Sequence, residues 1–520
     1  MPRAGSFVTT ASREIAGKWR RAGRCDIFTG VRRVAFLLAL LALFGGATSA
    51  FAQDSLWTPR RADVLLKALR AAGDHGLEPG WYGVADLEKA VASGDDRART
   101  DGLLTDALVA YASDVSTGRV RANGIDANIS IDQRKLDKAD LLKAAADAPD
   151  FAAWLAGLAP KGDYPALQKA LAELRARRAA TAYTPIPDIA EALRPGKTDA
   201  RVPILRRRLA ELGMTVPPAA GAIDLYDDPL VALVKAYQNT KGLTADGVIG
   251  AHTTRSLNTS PDDRIEQVIA NLERRRWLPE ELGQRYVLVN AGDYSMVFVD
   301  GGKPVFQSLV IVGTPKNPTP ELSSTMYGFQ TNPYWTVPQS IAGEEYLPLL
   351  RRDPNALSAN GFRLYASFSD DNSEIDPATV DWRAINPKAF PYRLRQDPGA
   401  SNALGYIFFP FANKYGIYMH DTATRWLFSE GSRNFSHGCI RLQNPLDFVE
   451  KVYGSHGFDK KGVQRVIDAG EQHGYAFPES VKLYVTYRTV SVGADGEPVF
   501  RDDVYGRDKE VVRAMGKPRS

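Results

Sequence analysis

RYVLVNAGDYSMVFVDGGKPVFQSLVIV, residues 285–312, breaks twice, at Ala291-Gly-Asp293 and at Asp300-Gly-Gly302. Between the breaks, β-branched and aromatic residues recur in an alternating pattern. Such runs separated by Gly/Asp turns predict antiparallel hairpins and a largely β domain. Residues 341–395 interrupt the pattern with polar, Pro-rich and helical pieces. An insertion of this size in a β domain reads as a functional lid. Strand character returns at Leu404–Pro410 and Tyr415–Met419. A helix is expected at Pro445–Val452, a strand at Val481–Val490 and a short return strand at Glu497–Arg501.

Upstream of residue 284 the period is helical. Arg61–Ala72, Leu103–Ala112 and Phe151–Leu158 carry apolar residues at three- and four-residue spacing, with charge on the other faces. This is the pattern of a helical scaffold domain, residues 53–184, and its His75 reads as a surface or capping residue. Thr184-Pro-Ile-Pro-Asp188 is a linker, because two prolines disfavour helix on either side. A compact module follows at 193–258. Ile204–Leu212 is a helix ending at Gly213, Leu230–Gln238 a second helix, and Thr253–Leu257 a third after a glycine-rich turn. The fold class expected is multidomain α+β: scaffold helices, a three-helix module, and a mainly β domain (284–455, lid 341–395), with a C-terminal extension (456–520) packing on them.

Residues 1–33 hold eight basic residues and only Glu14 and Asp26 as acids. The run Val34–Phe44 is apolar for 11 residues, whereas spanning a bilayer takes about 20. Ala50-Phe51-Ala52 then supplies a cleavage site, so residues 1–52 read as a secretory signal. The whole chain of 520 residues carries a net charge of +4. Without the signal, 57 Lys and Arg face 59 Asp and Glu, a net charge of −2, and no general attraction for nucleic acid remains. Of the two cysteines, Cys25 and Cys439, only Cys439 stays. A lone thiol in an oxidising compartment forms no internal disulfide. It is either a buried apolar side chain or a nucleophile.

Its neighbours favour the nucleophile. Cys439 lies in Ser436-His-Gly-Cys-Ile-Arg441, and Tyr418-Met-His-Asp-Thr422 lies upstream. A thiol is a modest nucleophile until a neighbour takes its proton, and an imidazole in reach gives a thiolate–imidazolium pair. Gly438 permits a tight turn whose N–H groups can face an oxyanion. Arg441 could hold a carboxylate or brace the loop. A zinc site from His420, His437 and Cys439 is the competing reading, but the spacing is not that of zinc ligands.

The pattern resembles the L,D-transpeptidase catalytic domain of the YkuD type, in which a His precedes "[S/T]-x-G-C-[I/V]-R" by 15 to 20 residues. Asn332-Pro-Tyr-Trp-Thr-Val-Pro338, Gln396–Gly405, Tyr484–Tyr487 and Asp503–Arg507 look like its large YcbB-like branch. Phe409-Pro-Phe-Ala-Asn-Lys-Tyr415 departs from the branch's usual turn. The module at 193–258 resembles the peptidoglycan-binding domain, through Leu205-Leu209-Leu212-Gly213, Val234–Gln238 and Gly242-Leu243, Asp246-Gly247, Gly250, Thr253 and Leu257. There the glycines serve turns and Asp246 tethers the loop. The resemblance implies Cys439 as nucleophile and His420 as general base. It also implies Gly438 and Cys439 N–H as oxyanion donors, Ser436 orienting the imidazole, His437 lining the site, and Arg441 supporting the loop. It implies no cofactor and a bare thiol. The implied partners are peptidoglycan stem peptides, a tetrapeptide donor and a stem-peptide acceptor, and carbapenem inhibitors. The implied location is the periplasm, associated with the cell wall. Water as acceptor (a carboxypeptidase or endopeptidase), attachment of a wall protein, and a non-catalytic wall-binding scaffold are the alternatives.

Overall fold

The computed structural model describes residues 56–518, apart from 181, 188–190, 242, 369–372, 454–458 and 494. The expected signal segment 1–52, Cys25, Gly242 and His456 lie outside the described residues. Among the described residues no helix is long and apolar enough to cross a membrane.

The scaffold helices form where the periodicity places them. Pro59–Arg70 starts on Thr58, whose hydroxyl accepts from Arg61 N–H, and buries Leu65 and Leu69. Arg97–Thr117 starts on Asp96 and buries Leu104, Leu108 and Tyr111. Phe151–Ala156 starts on Asp150. Side-chain oxygens satisfy first-turn N–H groups in each case. His75 is not a surface residue. Its Nδ1 lies 3.0 Å from Tyr164 Oη, and burial with the nearby Arg276 pushes it down to about 4.

In the three-helix module the helices span Val202–Glu211, Asp228–Thr240 and Ala251–Leu257. Asp246 Oδ1 accepts from Val248 N–H at 2.8 Å and Gln238 Oε1 accepts from Gly247 N–H at 2.9 Å. Gly247 has φ +76°, and a Cβ there would sit 2.8 Å from Val231. The turn therefore needs glycine on both counts.

Pro261–Trp277 joins this module to the β domain. Ser260 and Asp263 cap it reciprocally. It carries charge into the interior: Arg276 pairs with Glu273 at 2.7 Å, and Arg274 pairs with Asp508 on the C-terminal helix Arg507–Met515. Val511 and Met515 of that helix pack into the scaffold core.

Eight strands of the β domain close into a ring. The hairpins are β2 (Tyr286–Asn290), β3 (Ser295–Asp300) and β4 (Lys303–Gly313). β5 is Glu321–Thr331, β10 Ile407–Phe409, β11 Met419–His420, β13 Ile440–Leu442 and β14 His473–Thr486. The order around the ring is β5-β10-β11-β13-β4-β3-β2-β14, and β14 pairs back with β5. Closure leaves the long strands no open edge. The ring encloses Val287, Val289, Phe298, Val310, Phe329, Phe409 and Ile440. The catalytic fold thus runs past residue 455. Residues 473–486 are a structural strand of the barrel rather than an extension, since without them β2 and β5 would have no neighbour on that side. The scaffold adds β1 (Ile129–Ser130), parallel to the start of β5.

The inserted unit has its own sheet, in the order β6-β9-β7-β8: Trp335–Thr336, Arg393–Gln396, Phe362–Tyr365 and Glu374–Ile375. It is wider than 341–395, because β6 supplies its first strand. Its core includes Val337, Leu347, Trp382, Phe390 and Leu394. Gly343 lets the chain cross another segment: a Cβ there would lie 1.8 Å from Pro387 O.

Candidate active site

β11 and β13 lie side by side and parallel, with Met419 opposite Ile440 and His420 opposite Arg441. This register sets Cys439, the residue before β13, next to Tyr418, the residue before β11. Ile440 N–H donates to Tyr418 O at 3.0 Å. The alternation of a strand puts Tyr418 and His420 on one face, and their rings lie 5.7 Å apart. The nucleophile and base expected from the sequence therefore sit on adjacent strands, with Tyr418 beside both. No hydrogen bond joins Sγ to the His420 ring among the described residues.

His420 is buried, and its Nδ1 lies 2.5 Å from Asp421 O. A carbonyl only accepts, so Nδ1 carries the hydrogen and Nε2 holds the lone pair. The sequence leaves open whether the Asp421 carboxylate or a backbone carbonyl orients this ring, and here it is the carbonyl. The carboxylate is committed elsewhere: Oδ2 accepts from Tyr406 N–H at 2.9 Å and Oδ1 from Arg425 at 2.5 Å.

Burial, with Arg441 nearby, pushes His420 down to about 3. Burial also pushes the Cys439 thiol up to about 11, against the opposing pull of Tyr418 and Arg441. Both shifts favour neutral forms. The resting pair is thus thiol and imidazole, not the thiolate–imidazolium pair expected from residue types, because both groups lose solvation together. The Tyr418 hydroxyl donates toward Sγ and accepts from Trp335 of the inserted sheet.

The turn before Cys439 is held from three sides. Ser436 Oγ donates to Cys439 O at 2.6 Å and accepts from Gly438 N–H at 3.1 Å. Ser436 therefore braces its own turn and does not touch the imidazole. Gly438 N–H is occupied, whereas Cys439 N–H has no partner among the described residues and remains the free donor of the expected pair. Gly438 has φ +102°, which favours glycine. Thr319, fully buried, donates to Gly438 O at 2.9 Å and accepts from Gly313 N–H at 2.8 Å. Tyr505 donates to Gly313 O at 2.8 Å. Gly313 admits this packing: a Cβ there would lie 2.0 Å from Asn317 O and 3.0 Å from Gly438 Cα.

Arg441 donates to Thr424 Oγ1 at 3.0 Å, and its guanidinium interacts through charge with Cys439, Tyr346 and Glu345. His437 Nε2 lies 2.6 Å from Glu345 Oε1 of the lid. No cluster of three or more His, Cys, Asp or Glu fit to hold a metal occurs among the described residues.

Sequence reasoning missed Tyr418, Thr319 and Tyr505. Tyr418 was within reach, since two-residue periodicity puts it on the face of His420. Thr319 comes from the loop between β4 and β5 and Tyr505 from the turn before Arg507–Met515, and nothing local marks them.

Residues 284–499 match the family model of the L,D-transpeptidase catalytic domain, residues 49–171 that of a scaffold domain, and residues 198–257 that of a peptidoglycan binding domain. A curated Haemophilus influenzae protein with the name "Putative L,D-transpeptidase" is 30% identical over 256 residues, which are 49% of this chain and 51% of the relative. The chain thus spans about half the length of the curated relative it matches. Among solved structures, an L,D-transpeptidase from Mycobacterium smegmatis is 14% identical with a TM-score of 0.19, over 39% of this chain and 58% of that one. One from Stackebrandtia nassauensis is also 14% identical with a TM-score of 0.19, over 58% and 97%. The closed barrel with the Cys439 turn at its strand end is thus the part of the chain that matches the L,D-transpeptidase catalytic-domain model, behind segments that match the scaffold and peptidoglycan binding models.

Proposed function

We propose that the chain is an exported, periplasmic, wall-associated L,D-transpeptidase that forms 3→3 cross-links in peptidoglycan through an acyl-thioester on Cys439. The observation that carries this reading is the register that sets Cys439 beside Tyr418 and two positions from a His420 whose Nδ1 is capped by a carbonyl. With Nδ1 so capped, Nε2 is the ring nitrogen left with a lone pair.

The donor is a stem tetrapeptide. As Sγ attacks the carbonyl at the L-centre of its third residue, His420 Nε2 takes the thiol proton. Proton transfer and attack go together, because burial holds both groups neutral beforehand. Cys439 N–H donates to the oxyanion, in a dry site where such a bond counts for more than in water. His420 then returns the proton to the departing amine, and D-alanine leaves. The side-chain amine of a second stem resolves the thioester, re-forming a peptide bond with no external energy source. The lid excludes water and so favours the amine. The three-helix module holds the chain on the wall.

Two measurements test this. Exposure to a carbapenem gives a mass adduct that maps to Cys439 and is lost in Cys439→Ala. Incubation with disaccharide-tetrapeptide gives a cross-linked dimer. Full activity of Cys439→Ala would sink the mechanism, and tripeptide without dimer would turn the reading to hydrolysis.

A further inference from the structure

The lid meets the catalytic turn through charge. Its segment Ala342–Tyr346 takes the wide turn of a π-helix, a rare geometry that recurs at functional sites. From this turn Glu345 reaches His437 at 2.6 Å and Glu344 reaches Lys316 at 2.8 Å. Glu345 and His437 keep 49% and 38% of their side-chain surface exposed. A His–carboxylate contact this open to solvent adds about 0–1 kcal/mol at most, so fold stability gives little reason for this one. The charge of Arg441 is felt by both Glu345 and the thiol. A carboxylate only accepts, so His437 Nε2 carries the hydrogen and Nδ1 holds the lone pair. The result is an oriented imidazole base two residues from Cys439.

The second half-reaction needs such a base. An alkyl side-chain amine is protonated near neutral pH, with a pKa of about 10.4 for lysine, and an ammonium has no lone pair to attack with. On the way to an amide, its nitrogen loses two protons. His420 has one lone pair and takes one proton at a time.

Building on the transpeptidase reading above, we propose that His437, oriented by Glu345, takes the first proton from the acceptor ammonium and His420 takes the second. The freed amine attacks the thioester carbonyl. His420 Nε2 accepts the proton of the new C–N centre, the C–S bond breaks, and the thiolate recovers that proton from His420. His437 gives its proton to solvent, to which it is open. His437 is then a catalytic residue of aminolysis and Glu345 its positioning residue, so the acceptor base is complete only with the lid seated.

The test compares the full chain with its Glu345→Gln and His437→Asn variants. Acylation is followed as D-alanine release from disaccharide-tetrapeptide, and aminolysis with primary amines of graded basicity as acceptors. The expected result is a fall of about tenfold or more in the ratio of aminolysis to acylation with strongly basic amines, in the range general-base catalysis spans. The deficit shrinks with weakly basic amines, which arrive unprotonated. An unchanged ratio overturns the proposal, and so does a deficit equal for all amines, which marks a merely structural contact. Absence of any Cys439 acyl adduct in the unaltered protein overturns the transpeptidase reading itself.

Discussion

Thr319→Val isolates the brace behind the nucleophile. The threonine is fully buried, and its hydroxyl joins Gly313 N–H to Gly438 O at 2.8 and 2.9 Å. Valine keeps the shape and removes the hydroxyl, so a buried backbone donor and acceptor lose their partner together. Each orphaned group costs about 1–3 kcal/mol, and the turn can recover part by shifting, which leaves about 2–4 kcal/mol. At about 2–4 °C per kcal/mol for a domain of this size, the barrel's unfolding midpoint falls by about 5–15 °C. The shift also moves Gly438, and with it Cys439 N–H, so carbapenem acylation slows by at least tenfold. Thr319→Ser keeps both hydrogen bonds and loses one methyl, at about 1 kcal/mol. Thermal unfolding and the rate of adduct formation read the pair. Equal losses in Val and Ser would refute the brace, as would a Val variant that acylates at the normal rate.

Asp421→Asn removes carboxylate bonds to Tyr406 and Arg425. It costs about 1–3 kcal/mol of stability but leaves adduct formation within tenfold, whereas a carboxylate that oriented the base would cost about 10⁴ in rate. Tyr418→Phe removes the hydroxyl donor to Sγ, so thiol titration shifts further up and acylation slows about three- to tenfold, about the value of one such bond. Because His420 is held at about 3 and Cys439 at about 11, acylation stays flat from about pH 5 to 9. A step near the ordinary histidine value would contradict this. The same burial makes stability fall with acid: below about 6.5 the unfolded chain takes up a proton that native His420 refuses. His420 contributes a loss of about 1.4 kcal/mol per pH unit until about pH 3, and His420→Gln removes that share in pH-dependent unfolding, leaving the share of His75, which is held at about 4.

Much of this was legible from residue types. The hairpins at 285–312 and the helices of the scaffold and module rest on local periodicity, whereas the choice of His420 as partner of Cys439 rests on the family resemblance. What escaped is non-local. Only the part of β14 after Pro478 reads as a strand, at Val481–Val490, and its two neighbours extend it back to His473. The lid's first strand, β6, is two residues long and carries no periodicity. Thr319, Tyr505 and Glu345 come from segments distant in sequence from Cys439. The burial that works against charge on Cys439 and His420 is likewise invisible to residue types, since it is a property of the assembled barrel.

β14 gives the ring its last two seams, to β2 and to β5. A chain emerging from its N-terminus has already released Cys439, His420 and the lid before that strand arrives. Until then β2 and β5 stand open. Non-local closures of this kind are slow, because the loop must be drawn together before any contact rewards it. The turn before Cys439 is therefore expected to settle late, when residues 473–486 dock between β2 and β5.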